Sequence, residues 1–240
     1  MAAERRLAAG FGWGSGERES EAVSGYVPPP APGFAAFDYG FTHYTVALLG
    51  CRDGNGNTFI VDEHAERQWL PSRHAAAIKA MVARHRTTGG QRILVSYSGV
   101  IPTRPLELRD LRRFVAGADV FSRQSDGTTI AAQYGREGIT LRCANPDRVN
   151  GWAEILRGLG DGGTGLTTPG GVRPTLFIHK RCGRLIETLP SLQHDPNRPE
   201  DVLKVDADED GIGGDDCADA LRYLVATKPR EIVVRKLRGF

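Results

Sequence analysis

The order of its apolar segments constrains the fold of this chain more than any other sequence feature. Three apolar segments come first, separated by short polar turns, and helical and strand-like segments then alternate. Three opening strands followed by alternating elements predict an α/β fold with a central mixed β-sheet flanked by α-helices. We predict strands at FAAFDYG, HYTVALLGC, TFIVDEH, RILVSYS, a short apolar segment leading to Asp119, ITLRC and TLFIHK.

The predicted helices fall between and after these strands. They are SRHAAAIKAMVARH with Ser72 as N-cap, GTTIAAQYGREG closed by Gly138, NPDRVNGWAEILRGLG, RCGRLIETLPSLQ and DDCADALRYLVAT. Residues 1–33 are rich in Gly, Pro and Ser and predict a flexible linker or N-terminal arm before a domain at 34–240. The glycine-rich segment 160–171 predicts a flexible loop.

Composition bounds the class of protein. A chain of 240 residues, 40% hydrophobic and 25% charged, is typical of one globular domain. It has no apolar run of about 18 residues, so we expect no membrane partner. The four cysteines lack zinc-site spacing, which favours a reducing compartment. Arginine outnumbers lysine, which suits phosphate contacts, but a GC-rich genome explains this equally well.

The densest acidic segment is VDADEDGIGGDDCADALRY at residues 205–223. Its first half, with aspartates at alternate positions from Asp206 to Asp210 and then Gly211, matches the start of an EF-hand calcium loop. The match fails at the twelfth position, where that loop needs a glutamate and this chain has Cys217. We therefore expect a solvated acidic loop, with a calcium module as a distant alternative.

The second half of this segment predicts a helix with acidic residues in its first turn. If the helix begins near Asp215, then Asp216 and Asp219 lie on one face, and Asp215 joins them or caps the helix. The positive end of the helix dipole favours ionised carboxylates there. The structural alternative, which this segment taken alone favours, is an N-cap plus an exposed Asp219–Arg222 pair of little energetic value.

Two further aspartates shift the balance towards a catalytic site. Asp38 lies in or at the end of an apolar strand, where an unpartnered carboxylate is costly, and Asp119 repeats the pattern in FVAGADVF. Carboxylates from two strands and a late helix can converge on two divalent cations, Mg²⁺ or Mn²⁺, which would bind the attacking and leaving oxygens of a phosphodiester. Asp38, central in the sheet, is expected to bridge both ions.

Six motifs follow one another in an order that carries a family resemblance: FDYGF, AGADVFSR, GTTIAAQYGREGITL, ANPDRVNGW, ETLPSLQHDPNRPEDV and DDCADALRY. Through them the segment 38–223 resembles the C-terminal nuclease domain of tailed-phage large terminase subunits, which have an RNase H-like fold. The resemblance implies that Asp38 and Asp119 are the two strand carboxylates. It matches Asp216 and Asp219 to the histidine and aspartate of the family's helix motif.

A carboxylate in place of that histidine suits Mg²⁺ or Mn²⁺ at least as well as an imidazole does. The departure leaves open whether Asp215, Asp216 or Asp219 contacts metal most directly. The resemblance thus implies a catalytic set of Asp38, Asp119 and Asp219 and a metal-ligand set of Asp38, Asp119, Asp215, Asp216 and Asp219.

The implied function is a metal-dependent endonuclease that cuts concatemeric double-stranded DNA during phage genome packaging. A metal-bound water would attack, with little sequence preference. The sequence has no G-x-x-x-x-G-K-[ST] loop, so we expect a nuclease domain without its ATPase. The implied partners are the terminase ATPase domain, the portal protein and the small terminase subunit, and the implied location is the host cytoplasm at the procapsid portal.

Arg123, Lys180 and Arg181 are candidate DNA contacts, although a solvated charged surface is the stronger expectation for each. Two other functions stay open at this point. One is a junction-resolvase or transposase-like nuclease on the same fold. The other is a non-catalytic DNA-binding arm of a packaging motor, in which the acidic residues are only structural.

Overall fold

The computed structural model describes residues 33–87, 104–160 and 171–227. Within them the strands are β1 (Phe34–Asp38), β2 (Thr45–Arg52), β3 (Thr58–Glu66), β4 (Arg86–Thr87), β5 (Arg104–Pro105), β6 (Arg113–Ala116), β7 (Arg142–Cys143), β8 (Leu176–Ile178), β9 (His194–Asp195) and β10 (Arg198–Val202). The helices are α1 (Pro71–Ala83), α2 (Ile130–Arg136), α3 (Arg148–Leu159), α4 (Gly183–Thr188) and α5 (Asp216–Ala226). Single 3₁₀ turns lie at Leu108–Asp110, Ala118–Phe121 and Leu189–Ser191.

A six-stranded sheet in the order β7-β6-β1-β2-β3-β8 forms the centre of the fold. β2 pairs antiparallel with both β1 and β3, whereas β6 pairs parallel with β1. β7 and β8 extend the two edges in parallel. The sheet is mixed and flanked by helices, so the predicted α/β class is confirmed. β9–β10 and β4–β5 are separate two-stranded pairs.

Helices cover both faces of this sheet, and β1 contributes to both cores. Phe34 and Ala36 pack with α3, α4 and α5, on what we call the α5 face. Ala35 and Phe37 pack with α1 and α2, on the α1 face. Successive strand residues point to opposite faces, so a strand covered on both sides is a continuous apolar run in the sequence. By this alternation Asp38 belongs to the α5 face.

Helix α5 is a core element rather than a surface helix. Every residue from Asp216 to Val225 is buried. Its first turn therefore brings Asp216 and Asp219 into the interior, where carboxylates are unfavourable without partners. Among the helices of the described segments, none is long and apolar enough to cross a membrane.

Two local predictions were wrong. α1 begins with Pro71, and its N-cap is Leu70 rather than Ser72. Proline suits the first helical position because its φ is already helical and the N–H it lacks would be unpaired there. The predicted strand ITLRC shortens to β7 from its N-terminal side: Arg142 and Cys143 pair with Val115 and Ala116, whereas Ile139 and Leu141 lie outside the strand and pack into the core of the α1 face. The predicted strand RILVSYS, the loop residues 161–170 and the linker residues 1–32 lie outside the described residues.

Candidate functional site

The ends of β1 and β6 lie side by side and bring two predicted site residues together. Asp38 is the last residue of β1, and Phe37 pairs with Ala116 at the end of β6. Gly117 follows at the level of Asp38, and Asp119 lies in the 3₁₀ turn just beyond it. A Cβ at Gly117 would collide with the Asp119 carboxylate and lie 2.8 Å from the hydroxyl of Tyr223 in α5. The turn therefore returns Asp119 to the α5 face.

Electrostatics link these residues to the start of α5. Burial raises the pKa of Asp38 well above its ordinary value, and repulsion from Asp219, Asp216 and Asp119 raises it further. Burial also raises the pKa of Tyr223, and the negative charges of Asp38, Asp219 and Asp119 raise it further. The predicted aspartates thus lie close enough to act on one another, and we call them the carboxylate cluster: Asp38, Asp119, Asp215, Asp216 and Asp219. The three aspartates at the start of α5 are buried, Asp38 is partly exposed and Asp119 is exposed.

Asp215 and Asp216 keep open acceptor atoms within this cluster. Both residues are buried, yet Oδ2 of each has no hydrogen-bond partner among the described residues. Burial raises the pKa of Asp215 to about 6, and Asp219 adds to the shift while Lys204 opposes it. Burial likewise raises the pKa of Asp216, whereas the interaction with His43 lowers it. Buried polar atoms are usually paired, so such exceptions are expected where a ligand binds.

Asp219 is in the opposite situation, because three cationic side chains already bind it. Arg148 Nη1 donates to both oxygens at 3.2 and 3.1 Å, and Arg222 Nε donates to Oδ1 at 3.0 Å. The Lys204 ammonium lies 3.4 Å from Oδ2. The Asp219–Arg222 pair that the structural alternative placed at the surface is buried, with both side chains 2% exposed. That expectation was wrong, because α5 is a core helix.

Arg148 joins three elements around Asp219. It lies in the first turn of α3, and its Nε donates to both oxygens of Asp201 in β10 at 3.1 Å. Trp152 Nε1 donates to the same Asp201 carboxylate at 2.9 Å. Sequence analysis assigned no role to Arg148 or Lys204. The only signal was an arginine beside the N-cap of a helix, which is also the ordinary pattern of a surface residue.

The side chains of the cluster are near one another but do not by themselves form a metal-ligand set. In the ranges 33–87, 104–160 and 171–227, no group of three or more Asp, Glu, His or Cys side chains is arranged to hold a metal ion. The segment Asp206–Asp210 forms an exposed turn, in which the Ile212 amide donates to Asp208 Oδ1 at 2.7 Å. Asp206 faces His43 instead, at 3.4 Å. This arrangement does not support the calcium alternative.

The three candidate DNA contacts are all exposed, but they lie in different places. Arg123 follows the turn that carries Asp119. Lys180 and Arg181 follow β8 at the sheet edge, where their charges act on His179. The basic groups that act on the carboxylate cluster are others, namely Lys204, Arg148, Arg184 and His43. A DNA-binding role for Arg123, Lys180 and Arg181 stays a prediction.

The chain belongs to the α/β class, with a mixed central sheet flanked by helices. Asp38 at the end of β1 and Asp119 in the turn after β6 lie near the start of α5. No family model and no curated protein matches its sequence. Solved structures do match. The P22 large terminase nuclease domain superposes with a TM-score of 0.55 at 14% identity, over 84% of this chain and 83% of that one.

The large terminase from a thermophilic bacteriophage matches with a TM-score of 0.52 at 17% identity, over 83% of this chain and 40% of that one. Its complex with ATP-γ-S gives a TM-score of 0.53 at 16% identity, over 84% and 41%. This chain thus spans about two fifths of the thermophilic phage protein. At these identities the likeness shows a shared fold, and the resemblance to terminase nuclease domains is confirmed at that level.

Proposed function

We propose that this chain is a metal-dependent endonuclease domain that cuts double-stranded DNA during phage genome packaging. The observation that carries the proposal is that Asp38 and Asp119 lie close to each other and to the first turn of α5. The fold shared with the P22 large terminase nuclease domain supports it. The buried Oδ2 atoms of Asp215 and Asp216 have no hydrogen-bond partner among the described residues and are therefore free to accept a ligand.

The donor set fits two hard divalent cations, Mg²⁺ or Mn²⁺. Every member of the cluster offers carboxylate oxygens, the donors that these ions prefer. The raised pKa of Asp38 reflects burial and a repulsion between carboxylates that cations would relieve. Bound ions would supply an activated water and neutralise charge on the phosphodiester. We propose Asp38, Asp119, Asp215 and Asp216 as the residues that hold them.

The contacts of Asp219 suggest a different role for it. Arg148, Arg222 and Lys204 already neutralise its charge, so direct metal contact would require one of these cations to leave. We propose that Asp219 chiefly holds this basic group against α5. Direct metal contact from the helix then falls to Asp215 and Asp216. This assignment addresses the choice among the three aspartates that the sequence left open.

The biological setting is proposed on the likeness to large terminases. The thermophilic phage terminase extends well beyond the matched part, so we propose an ATPase domain, a portal protein and a small terminase subunit as partners. The site of action would be the procapsid portal in the host cytoplasm. Cleavage of branched, linear and supercoiled DNA should be compared, because a marked preference for branched substrates would instead favour a junction resolvase.

Nicking of supercoiled plasmid in Mn²⁺ or Mg²⁺, with a chelator control, tests the proposal. Asp38→Asn should abolish nicking. The matched control is Asp53→Asn in the β2–β3 turn, at the opposite end of β1, which should cut normally. Nicking that persists at wild-type rate in Asp38→Asn would overturn the proposed site.

A further inference from the structure

The segment that leads into Asp215 is held in place by side chains that bind its backbone carbonyls. Residues 205–214, which we call the acidic loop, contain no helix or strand. Gly211, Gly213 and Gly214 have φ values of +84°, +76° and +94°, a region that L side chains rarely adopt. The carbonyls of the loop point towards basic side chains of the domain, while most of its acidic side chains face solvent.

Arg184 makes the central contacts with this loop. Its Nη1 donates to the Gly211 carbonyl at 2.8 Å, and its Nη2 donates to the Gly213 carbonyl. Arg184 itself lies at the start of α4, where its amide and that of Leu185 donate to the Glu63 carboxylate at 2.9 and 2.8 Å. The backbone of Arg184 is therefore fixed to β3 through Glu63, and its guanidinium reaches the loop from that anchor.

An aromatic ring adds to these contacts. The Arg184 guanidinium lies 3.5 Å from the centre of the Tyr44 ring, and that of Arg67 lies 5.8 Å from it. Arg67 donates to the carbonyls of Asp208 and Glu209 at 3.0 and 2.5 Å. The Tyr44 hydroxyl donates to the Gly211 carbonyl at 3.2 Å. Two arginines and one tyrosine, which we call the loop clamp, thus hold four backbone carbonyls of the acidic loop.

The loop clamp is connected to the carboxylate cluster. Gly213 and Gly214 immediately precede Asp215, whose amide donates to the Val205 carbonyl at 3.0 Å. Both Arg184 and the Tyr44 backbone amide lower the pKa of Asp216 against the effect of burial. Arg184, which binds the loop carbonyls, therefore also lies close enough to act on Asp216.

We infer that Arg184 is a positioning residue, which fixes the acidic loop and through it the orientation of Asp215 and Asp216. The inference rests on the proposed function, since it concerns the carboxylates proposed to hold the metal ions. Arginine is required because its planar fork donates to two carbonyls at once while its face stacks on Tyr44. A lysine keeps the charge but cannot reproduce this geometry.

The test compares Arg184→Lys and Arg184→Gln with the wild-type chain. Arg157→Lys serves as the control, since Arg157 is exposed and pairs only locally with Glu154 on α3. Hydrogen exchange should show amides of residues 205–215 exchanging about tenfold faster in both Arg184 variants, with β1–β3 unchanged. In plasmid nicking, kcat should fall about 10- to 100-fold at an unchanged KM for DNA, and half-maximal activity should need more Mn²⁺.

Arg184→Lys keeps the positive charge but removes the planar guanidinium, so it shows whether the contacts of the guanidinium or its charge positions the loop. Wild-type exchange and wild-type Mn²⁺ dependence in this variant would overturn the inference. Faster loop exchange with unaltered nicking would overturn it as well. If the wild-type chain itself does not cut DNA, the proposed function fails separately. Carboxylate NMR signals of Asp215 and Asp216 that are the same in wild type and Arg184→Lys would then overturn the positioning role, and shifted signals would support it.

Discussion

Each face of the sheet carries a strand aspartate, Asp62 fully buried on the α1 face and Asp38 partly exposed on the α5 face, and the pKa values of the two shift in opposite directions. On the α1 face, Arg84 Nη2 donates to Asp62 at 3.0 Å and His85 Nε2 lies 2.9 Å from it. Burial would raise the pKa of Asp62, but these hydrogen bonds outweigh it and lower the pKa. On the α5 face, burial and neighbouring carboxylates raise the pKa of Asp38.

The difference teaches how to separate a structural from a functional buried carboxylate. Asp62 is 1% exposed and both of its oxygens are paired, so it needs nothing further to be stable. Asp38 has carboxylates as its neighbours, and Asp215 carries an Oδ2 without a partner among the residues described. Burial alone does not distinguish Asp215 from Asp62, since both are buried. The difference is whether the carboxylate oxygens are paired among the described residues.

The largest expected effect is the loss of activity in Asp38→Asn. Loss of a carboxylate proposed to hold the metal ions would remove several kcal/mol of transition-state stabilisation, so nicking should fall about a thousandfold. Stability should rise, because a neutral amide ends the repulsion within the cluster. Plasmid nicking and urea unfolding measure the two effects. A variant that is both inactive and less stable would contradict this account of Asp38.

The matched change on the other face, Asp62→Asn, should give the reverse result. It weakens charged hydrogen bonds to Arg84 and His85, so the free energy of unfolding should fall by about 2–3 kcal/mol. Nicking at 25 °C should stay at the wild-type rate. Urea unfolding measures the change in stability. A loss of nicking as large as that in Asp38→Asn would show that Asp62 is not purely structural.

Gly117→Ala tests the close approach that holds Asp119 in the cluster. The new Cβ would collide with the Asp119 carboxylate and crowd the Tyr223 hydroxyl, so stability should fall by about 1–2 kcal/mol and nicking should decrease. Gly135→Ala is the control, because a Cβ there meets nothing within 4 Å. That helical change should be neutral or slightly stabilising. Equal melting temperatures for both variants would refute the described packing.

The smallest effect is a pH dependence of opposite sign on the two faces. Burial lowers the pKa of His64 and of His74 from 6.5 to about 4. Between pH 6.5 and 4 these histidines are therefore protonated in the unfolded chain but largely neutral in the folded chain, so the free energy of unfolding decreases as pH falls. The pKa of Asp215 rises from 3.8 to about 6, so its protonation adds stability as pH falls through that range.

Urea unfolding between pH 7 and 4 separates these contributions. His74→Gln should flatten the loss of stability at low pH. Asp215→Asn should instead remove the gain and make the loss steeper. Each variant alters one face only, so a change of the wrong sign in either variant would show that the described surroundings of that residue are incorrect.

The fold was predictable where local pattern and burial agree. β1, β2 and β3 are apolar runs between polar turns, and all three form near the predicted places. ITLRC was predicted too long because Ile139 and Leu141 are apolar through packing in the core of the α1 face and not through strand pairing, which only Arg142 and Cys143 make. The start of α1 was misplaced because Ser72 was taken as a cap while Pro71 already occupied the first helical position.

The sequence indicated which carboxylates lie near one another but not the cations around them, and the role of the carboxylates as a metal site stays a prediction. Asp38 stood out because a carboxylate in an apolar strand needs an explanation. Asp119 was predicted in the same way but lies in the 3₁₀ turn after β6. Arg148 reaches Asp219 from a position 71 residues earlier in the chain, and no local pattern encodes such a contact. An arginine on an amphipathic helix looks the same in sequence whether it faces water or a buried acid.

The order of the elements has a consequence for the growing polypeptide. Asp38 and Asp119 leave the ribosome well before α5, and domains made on the ribosome begin to fold from the N-terminal side. A nascent chain that has not reached Asp216 can pair β1 with β6 yet has no helix to face them. The proposed nuclease site would therefore be complete only once the last described helix has been synthesised.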